Sequence, residues 1–344
     1  MKRIVLCFDG TWNRPAAESL PVDQQVETNV RRFYESVKPQ GEDGVEQIAF
    51  CDEGIGTNWY DKFFGGTFGT GLDLKILDGY KYLAKNYKDG DEVYILGFSR
   101  GAYTARSLVG LIRNCGLVEN KLLALRTAMA YGLYRAREDG PDSSTAIHFR
   151  QAFSREIKVT FLGVWDTVGA LGIPIGSLGP PFGGLQNFNH KLYEFHDTAL
   201  SKIVENGYHA IAIDENRKDY DVCLWDPKEK PEQTVEQRWF VGAHSDVGGG
   251  YPDRKLSDIT LRWMQEKAFG LGLGINLVPT GADNFKAPYR DSYSEFLDGR
   301  YAKLIGRYFR SIGTTQFGNE LVDESVQKRR LEDALYKPQN AGFS

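Results

Sequence analysis

Apolar residues along this chain fall into two alternating spacings. A short run at 3–8 reads as a continuous buried strand, and further strands are expected over 47–51, 94–98, 158–164 and 236–241. Between them lie stretches with helical spacing. Residues 27–38 carry Val30, Phe33, Tyr34 and Val37 behind Thr28, a capping type; further helices are expected over 73–87, 101–114, 121–137, 199–214 and 257–268. The Gly- and Phe-rich stretch 59–72 has no period and reads as a loop. Residues 169–189 mix Gly and Pro with Leu171, Ile173, Ile175, Leu178, Phe182, Leu185 and Phe188, while the chain after about 275 is aromatic, charged and irregular. Strand and helix in alternation predict a mainly parallel sheet with helices on both faces. A single domain over 1–344 is expected, with insertions around 115–150 and 169–200 and a C-terminal extension.

Composition narrows the class without changing that picture. The chain has 344 residues, 41% hydrophobic and 26% charged, as in soluble globular proteins. A net charge of −4 without a basic stripe excludes a nucleic-acid partner from the expectation. Cys7, Cys51, Cys115 and Cys223 are scattered, which suits neither a disulfide framework nor a zinc site. The opening apolar run stops at Asp9, too short for a signal peptide, and nothing approaches the ~20 apolar residues of a membrane span. A reducing, cytoplasmic location follows, or export by a route that needs no signal peptide. No cofactor and no metal are expected; the acidic pairs lack EF-hand spacing.

Chemistry concentrates at Gly97-Phe98-Ser99-Arg100-Gly101. A strand runs into Gly97 and a helix of small residues follows Gly101, the setting of a nucleophile elbow. A serine hydroxyl is a poor nucleophile at neutral pH and needs a base. Of five histidines, His244 sits three residues past a strand in a Gly-rich loop, where an orientable imidazole belongs. His209 reads as a packed helical residue, and His148, His190 and His196 as surface residues. Asp166, just past the strand that follows the elbow helix, is the preferred third member; Asp214, Asp219, Asp221 and Asp246 are its rivals. The order Ser99, Asp166, His244 is that of α/β hydrolases. Acyl transfer also needs oxyanion donors, and the backbone N–H groups of Arg100 and of Gly10 or Thr11 fit that need. The Asp9 carboxylate is expected to tie down its loop.

Two other motif readings fail on residue type. A haloacid-dehalogenase motif would need aspartate where Cys7 stands. Gly248-Gly249-Gly250 has no following Lys-Ser/Thr and does not open a helix after a strand, so it is not a phosphate loop.

Five ordered blocks, Phe8 to Asn13, Asp52 to Thr57, Gly97 to Tyr103, Trp165 to Val168 and His244 to Tyr251, resemble one family over residues 4 to about 270. It is the α/β-hydrolase family that includes the catalytic domain of class-one type VI secretion phospholipase effectors. The resemblance implies a serine esterase acting on lipid-like or short acyl esters through Ser99, Asp166 and His244. It also implies a small-molecule or lipid ester as partner, with peripheral membrane contact. Such effectors are expected to carry large membrane-anchoring segments, for which this chain leaves little room. Residues 169–189 and 59–68 are the expected acyl-binding wall or lid. A hydrolase-fold binding module without turnover, and amide hydrolysis by the same residues, are the competing readings.

Overall fold

The structure is a computed structural model, and it describes residues 1–10, 26–52, 68–136, 138–169, 199–226, 232–315 and 319–343. Thr11, loop residues 59–67 and residues 170–189 of the Gly/Pro-rich segment lie outside the described residues. Among the described residues seven strands form one sheet: β1 (Arg3–Phe8), β2 (Gln47–Asp52), β3 (Glu92–Phe98), β4 (Val159–Trp165), β5 (Val204–Ala212), β6 (Thr234–Phe240) and β7 (Glu320–Val322). They lie in the order β2-β1-β3-β4-β5-β6-β7, and every neighbouring pair is parallel.

The helices that cover this sheet are α1 (Asn29–Ser36), α2 (Phe68–Asn86), α3 (Arg100–Cys115), α4 (Leu123–Arg135), α5 (Ser144–Phe153), α6 (His244–Gly248) and α7 (Lys255–Gly270). Period-two alternation along β1 divides its side chains between the two faces. Ile4, Leu6 and Phe8 pack with Ile76, Tyr80, Leu108 and Ile112 of α2 and α3. Val5 and Cys7 pack with Val30 and Phe33 of α1 and with Leu261 and Met264 of α7. From Ile4 to Phe8 the strand is covered on both sides, which is why that part of β1 reads as an unbroken apolar run. Thr28 caps α1 as its residue type suggests, its hydroxyl accepting from the Arg31 N–H at 3.2 Å.

The helix expected over 199–214 is corrected to strand β5. Glu205 and Asn206 are half-buried and Gly207 to Ala212 are buried throughout, so side chains of both polarities face inward and no alternation separates strand from helix. Helix α2 begins at Phe68, within the stretch whose pattern reads as loop. Residues 144–153 form a helix capped by Ser143, which was not anticipated. The tail after 275 is more ordered than its pattern suggests, since it supplies β7 and a helix over Glu324–Glu332.

The sheet edge near Ser99 is fixed by backbone crowding. A Cβ on Gly101 would overlap the carbonyl of Phe8, and one on Gly97 would overlap the carbonyl of Gly101. Strand β1, strand β3 and the start of α3 therefore pass closer than any side chain allows. Gly101→Ala should lower stability by about 1–3 kcal/mol, measured by urea unfolding, because the β1–α3 contact must open to admit the methyl.

Candidate active site

Ser99 lies between the end of β3 and the start of α3, with φ 57° and ψ −120°. Its N–H donates to the Trp165 carbonyl at 3.0 Å and its carbonyl accepts from the Tyr103 N–H at 3.2 Å. The strained backbone is thus over-determined by a ladder bond on one side and a helical bond on the other. Asp166 is placed in the same way one strand along, just past β4. Its N–H donates to the Ala210 carbonyl at 2.8 Å, and its φ of 40° turns the side chain across the sheet edge.

His244 opens the one-turn helix α6 rather than an open Gly-rich loop. The Asp246 carboxylate accepts from the Ala243 N–H at 2.9 Å and anchors the start of that turn. Phe98 of the elbow lies against the imidazole with ring centroids 4.7 Å apart, and Tyr220 meets it edge-on at 5.3 Å. These contacts bring three distant residues together. His244 Nε2 is 2.8 Å from Ser99 Oγ, and His244 Nδ1 is 2.5 Å from Asp166 Oδ2. All three are buried, at 3%, 6% and 0% exposure for Ser99, His244 and Asp166.

Four donors surround the Asp166 carboxylate. The Ala212 N–H donates to Oδ1 at 3.0 Å, Arg310 Nη1 to Oδ1 at 2.6 Å, and Arg310 Nη2 to Oδ2 at 3.0 Å, beside His244 on Oδ2. Burial alone would raise this carboxyl; the Arg310 charge and the bond from His244 outweigh it and hold the group below the usual carboxylate range. Arg310 lies in the irregular extension, and no sequence signal pointed to it. Glu215 is a second unforeseen neighbour: fully buried, it pairs with Arg217 at 2.8 Å and accepts the His244 backbone N–H at 3.2 Å.

The rival aspartates are engaged elsewhere. Asp214 accepts from the Gly242 N–H and the Tyr336 hydroxyl, Asp219 from the Tyr301 hydroxyl, and Asp221 from the Tyr308 hydroxyl. Asp246 accepts from Ala243 and Arg290. His209 is packed, but on strand β5. Its Nε2 accepts from the Thr167 N–H at 3.1 Å, so it steadies the backbone beside Asp166, and burial lowers its pKa to about 3.

Of the oxyanion candidates, Arg100 is the first residue of α3, directly after Ser99. Gly10 faces the elbow, since a Cβ added there would touch Ser99 Cβ at 3.5 Å. Its N–H, however, donates to Asp9 Oδ1 at 2.6 Å, and burial raises the Asp9 carboxyl to about 6.

A parallel sheet of this order, with a serine on a strained strand-to-helix turn facing an imidazole, defines an α/β-hydrolase fold. The model of the catalytic domain of Tle1-like type VI secretion phospholipase effectors matches residues 2–267, and the chain belongs to that family. An uncharacterized protein of Saccharomyces cerevisiae, YEL023C, is 30% identical over 250 residues, which is 66% of this chain and 33% of the yeast protein. The chain thus spans about a third of that relative's length. Among solved structures, an uncharacterized protein from Pseudomonas aeruginosa aligns over 88% of this chain and 56% of its own at 17% identity, with a TM-score of 0.46. A Tle1 effector bound to the VgrG spike of the type 6 secretion system aligns over 74% and 52%, at 20% identity and a TM-score of 0.43.

Burial raises Asp214, as it does Asp9, to about 6 from an ordinary 3.8. A folded-state value above the unfolded one gives stability that is fully present below about pH 4 and lost as pH rises through 6. Relative to wild type, Asp214→Asn should therefore gain about 3 kcal/mol between pH 4 and pH 7. Chemical denaturation of both proteins at the two pH values measures the difference.

Proposed function

We propose that this protein is a serine hydrolase that cleaves carboxylic esters of lipids, with phospholipids as the substrate class. The 2.8 Å approach of His244 Nε2 to Ser99 Oγ, with Asp166 on the other ring nitrogen, carries the reading. Ser99 Oγ attacks the ester carbonyl carbon while its proton passes to His244 Nε2. The ester C–O bond then breaks, and the departing alcohol takes that proton. Water then gives a proton to Nε2 and attacks the acyl-serine; the acyl C–Oγ bond breaks, Nε2 returns the proton to Ser99 Oγ, and the fatty acid leaves.

Asp166 holds the imidazole in the tautomer with hydrogen on Nδ1, and its negative charge stabilises the imidazolium that forms at each step. The N–H of Arg100 is the first oxyanion donor, since it opens α3 directly after the nucleophile. A second donor comes from the 10–11 loop; for Gly10 this requires its N–H to leave Asp9 and turn to the substrate. The phospholipid class is supported by membership of a phospholipase effector family. One of the aligned structures is an effector bound to a secretion spike, so delivery on such a spike to a lipid surface is part of the same proposal. No described cysteine is in a disulfide, which supports folding in a reducing cytoplasm before any such delivery.

Ser99→Ala should lose at least about 10⁴-fold in turnover of phospholipid vesicles and of p-nitrophenyl esters of rising chain length, while keeping the wild-type melting profile. A fluorophosphonate probe should label wild type at Ser99 and leave the variant unlabelled. Equal background rates for the two proteins on every ester would refute the reading.

A further inference from the structure

The carboxylate that faces His244 is gripped from behind by a guanidinium outside the family-matched segment of 2–267. Arg310 is 1% exposed, and both of its terminal nitrogens serve this grip. Nη1 donates to Asp166 Oδ1 at 2.6 Å and to the Ala212 carbonyl at 2.8 Å; Nη2 donates to Asp166 Oδ2 at 3.0 Å and to the Tyr220 carbonyl at 2.5 Å. We propose that Arg310 is a positioning residue for the Ser99 reaction and that the C-terminal extension thereby completes the catalytic site. The proposal rests on the ester-hydrolase reading of Ser99, Asp166 and His244.

Three features carry it. The first is geometry: a planar fork spanning both carboxylate oxygens fixes the rotation of the Asp166 side chain, and Oδ2 then fixes the imidazole through Nδ1. A lysine could supply the charge but only a single point of attachment.

The second is anchorage. The Arg310 carbonyl accepts from Asn340 Nδ2 at 3.0 Å, and the same amide donates to the Ile213 carbonyl at 3.1 Å. The Tyr308 N–H donates to the Asn216 carbonyl at 3.0 Å. The segment that carries Arg310 is therefore stitched to the chain just beyond β5, on both sides of the guanidinium.

The third is charge. Two buried carboxylates, Asp166 and Glu215, lie beside His244, and each has its own guanidinium, Arg310 and Arg217. Without Arg310 the Asp166 charge would be uncompensated. The proton on His244 would then be held harder, and the carboxylate would be free to rotate.

The other groups around this pair are Glu215 and Asp221, which face Arg310, and His209 and Cys223, which face Asp166. Arg106 acts on His209 and Cys223. They are common to wild type and variants, so a change on removing the guanidinium reads Arg310 itself.

The test compares wild type, Arg310→Lys, Arg310→Met, Asp166→Asn and the double variant Asp166→Asn/Arg310→Met. Steady-state rates on p-nitrophenyl butyrate are measured across pH, with far-UV circular dichroism as the folding check. Arg310→Met should lose about 10²-fold in kcat with KM little changed, and the acid limb of its kcat/KM profile should move to higher pH. Arg310→Lys should recover part of kcat and keep the limb near its wild-type position. The double variant should be no slower than Asp166→Asn alone, because Arg310 acts through that carboxylate. The low-field proton resonance of the Asp166–His244 hydrogen bond should move in Arg310→Met, whether or not turnover is followed.

If Arg310→Met does not fold, Arg310→Lys and the double variant, which leaves no unpaired charge, carry the same comparison. An active wild type with an unaltered Arg310→Met profile, or losses that multiply in the double variant, would overturn the role of Arg310. An inert wild type would overturn the ester-hydrolase reading and this role with it.

Discussion

A carboxylate sealed from water is the constraint around which this molecule is arranged. Removing a single ion of that size from water costs several kcal/mol even after the surroundings relax, so Asp166 must be met by charge and by donors on every side. The structure supplies a guanidinium from residue 310, a backbone N–H from the end of β5 and an imidazole from the end of β6. Each comes from a different part of the chain. The acid at the end of β4 thus ties the last strands and the C-terminal extension to the centre of the sheet.

On the other side of His244 the constraint is steric. Gly97 and Gly101 let β1, β3 and the first turn of α3 pass at backbone distance, and that crowding holds Ser99 in a conformation that non-glycine residues seldom adopt. The site thus couples an electrostatic anchor, which orients the imidazole, to a steric one, which aims the hydroxyl. Phe98 links them, because it belongs to the elbow and its ring lies on the imidazole. A shift of the elbow would be felt at once by His244.

Family membership and geometry bear on different questions. The matched segment ends at residue 267, yet the guanidinium that meets the acid lies more than forty residues beyond it. The extension adds β7 to the sheet edge and delivers Arg310 beneath Asp166. What looks like a peripheral addition in the pattern of the chain is electrically part of the centre.

The sequence by itself determined the alternation of strand and helix, the continuous burial of β1, and the elbow at Ser99. These are encoded locally, by apolar period and by glycines whose spacing admits few backbones. Asp166 and His244 were legible as residues at strand ends, because a parallel sheet gathers its loops at one edge. Three things were decided only by the tertiary structure. Strand β5 shows no period of two, because from Gly207 to Ala212 both faces are buried and a buried His209 stands among the apolar residues. Asp9 reads from the sequence as tying down its loop, but only the structure shows that it does so by taking the Gly10 N–H, one of the expected oxyanion donors. Arg310 and Glu215 were invisible for a related reason: a buried ion pair is defined by what surrounds it, and one arginine or glutamate in a charged stretch looks like any other until the fold removes the water.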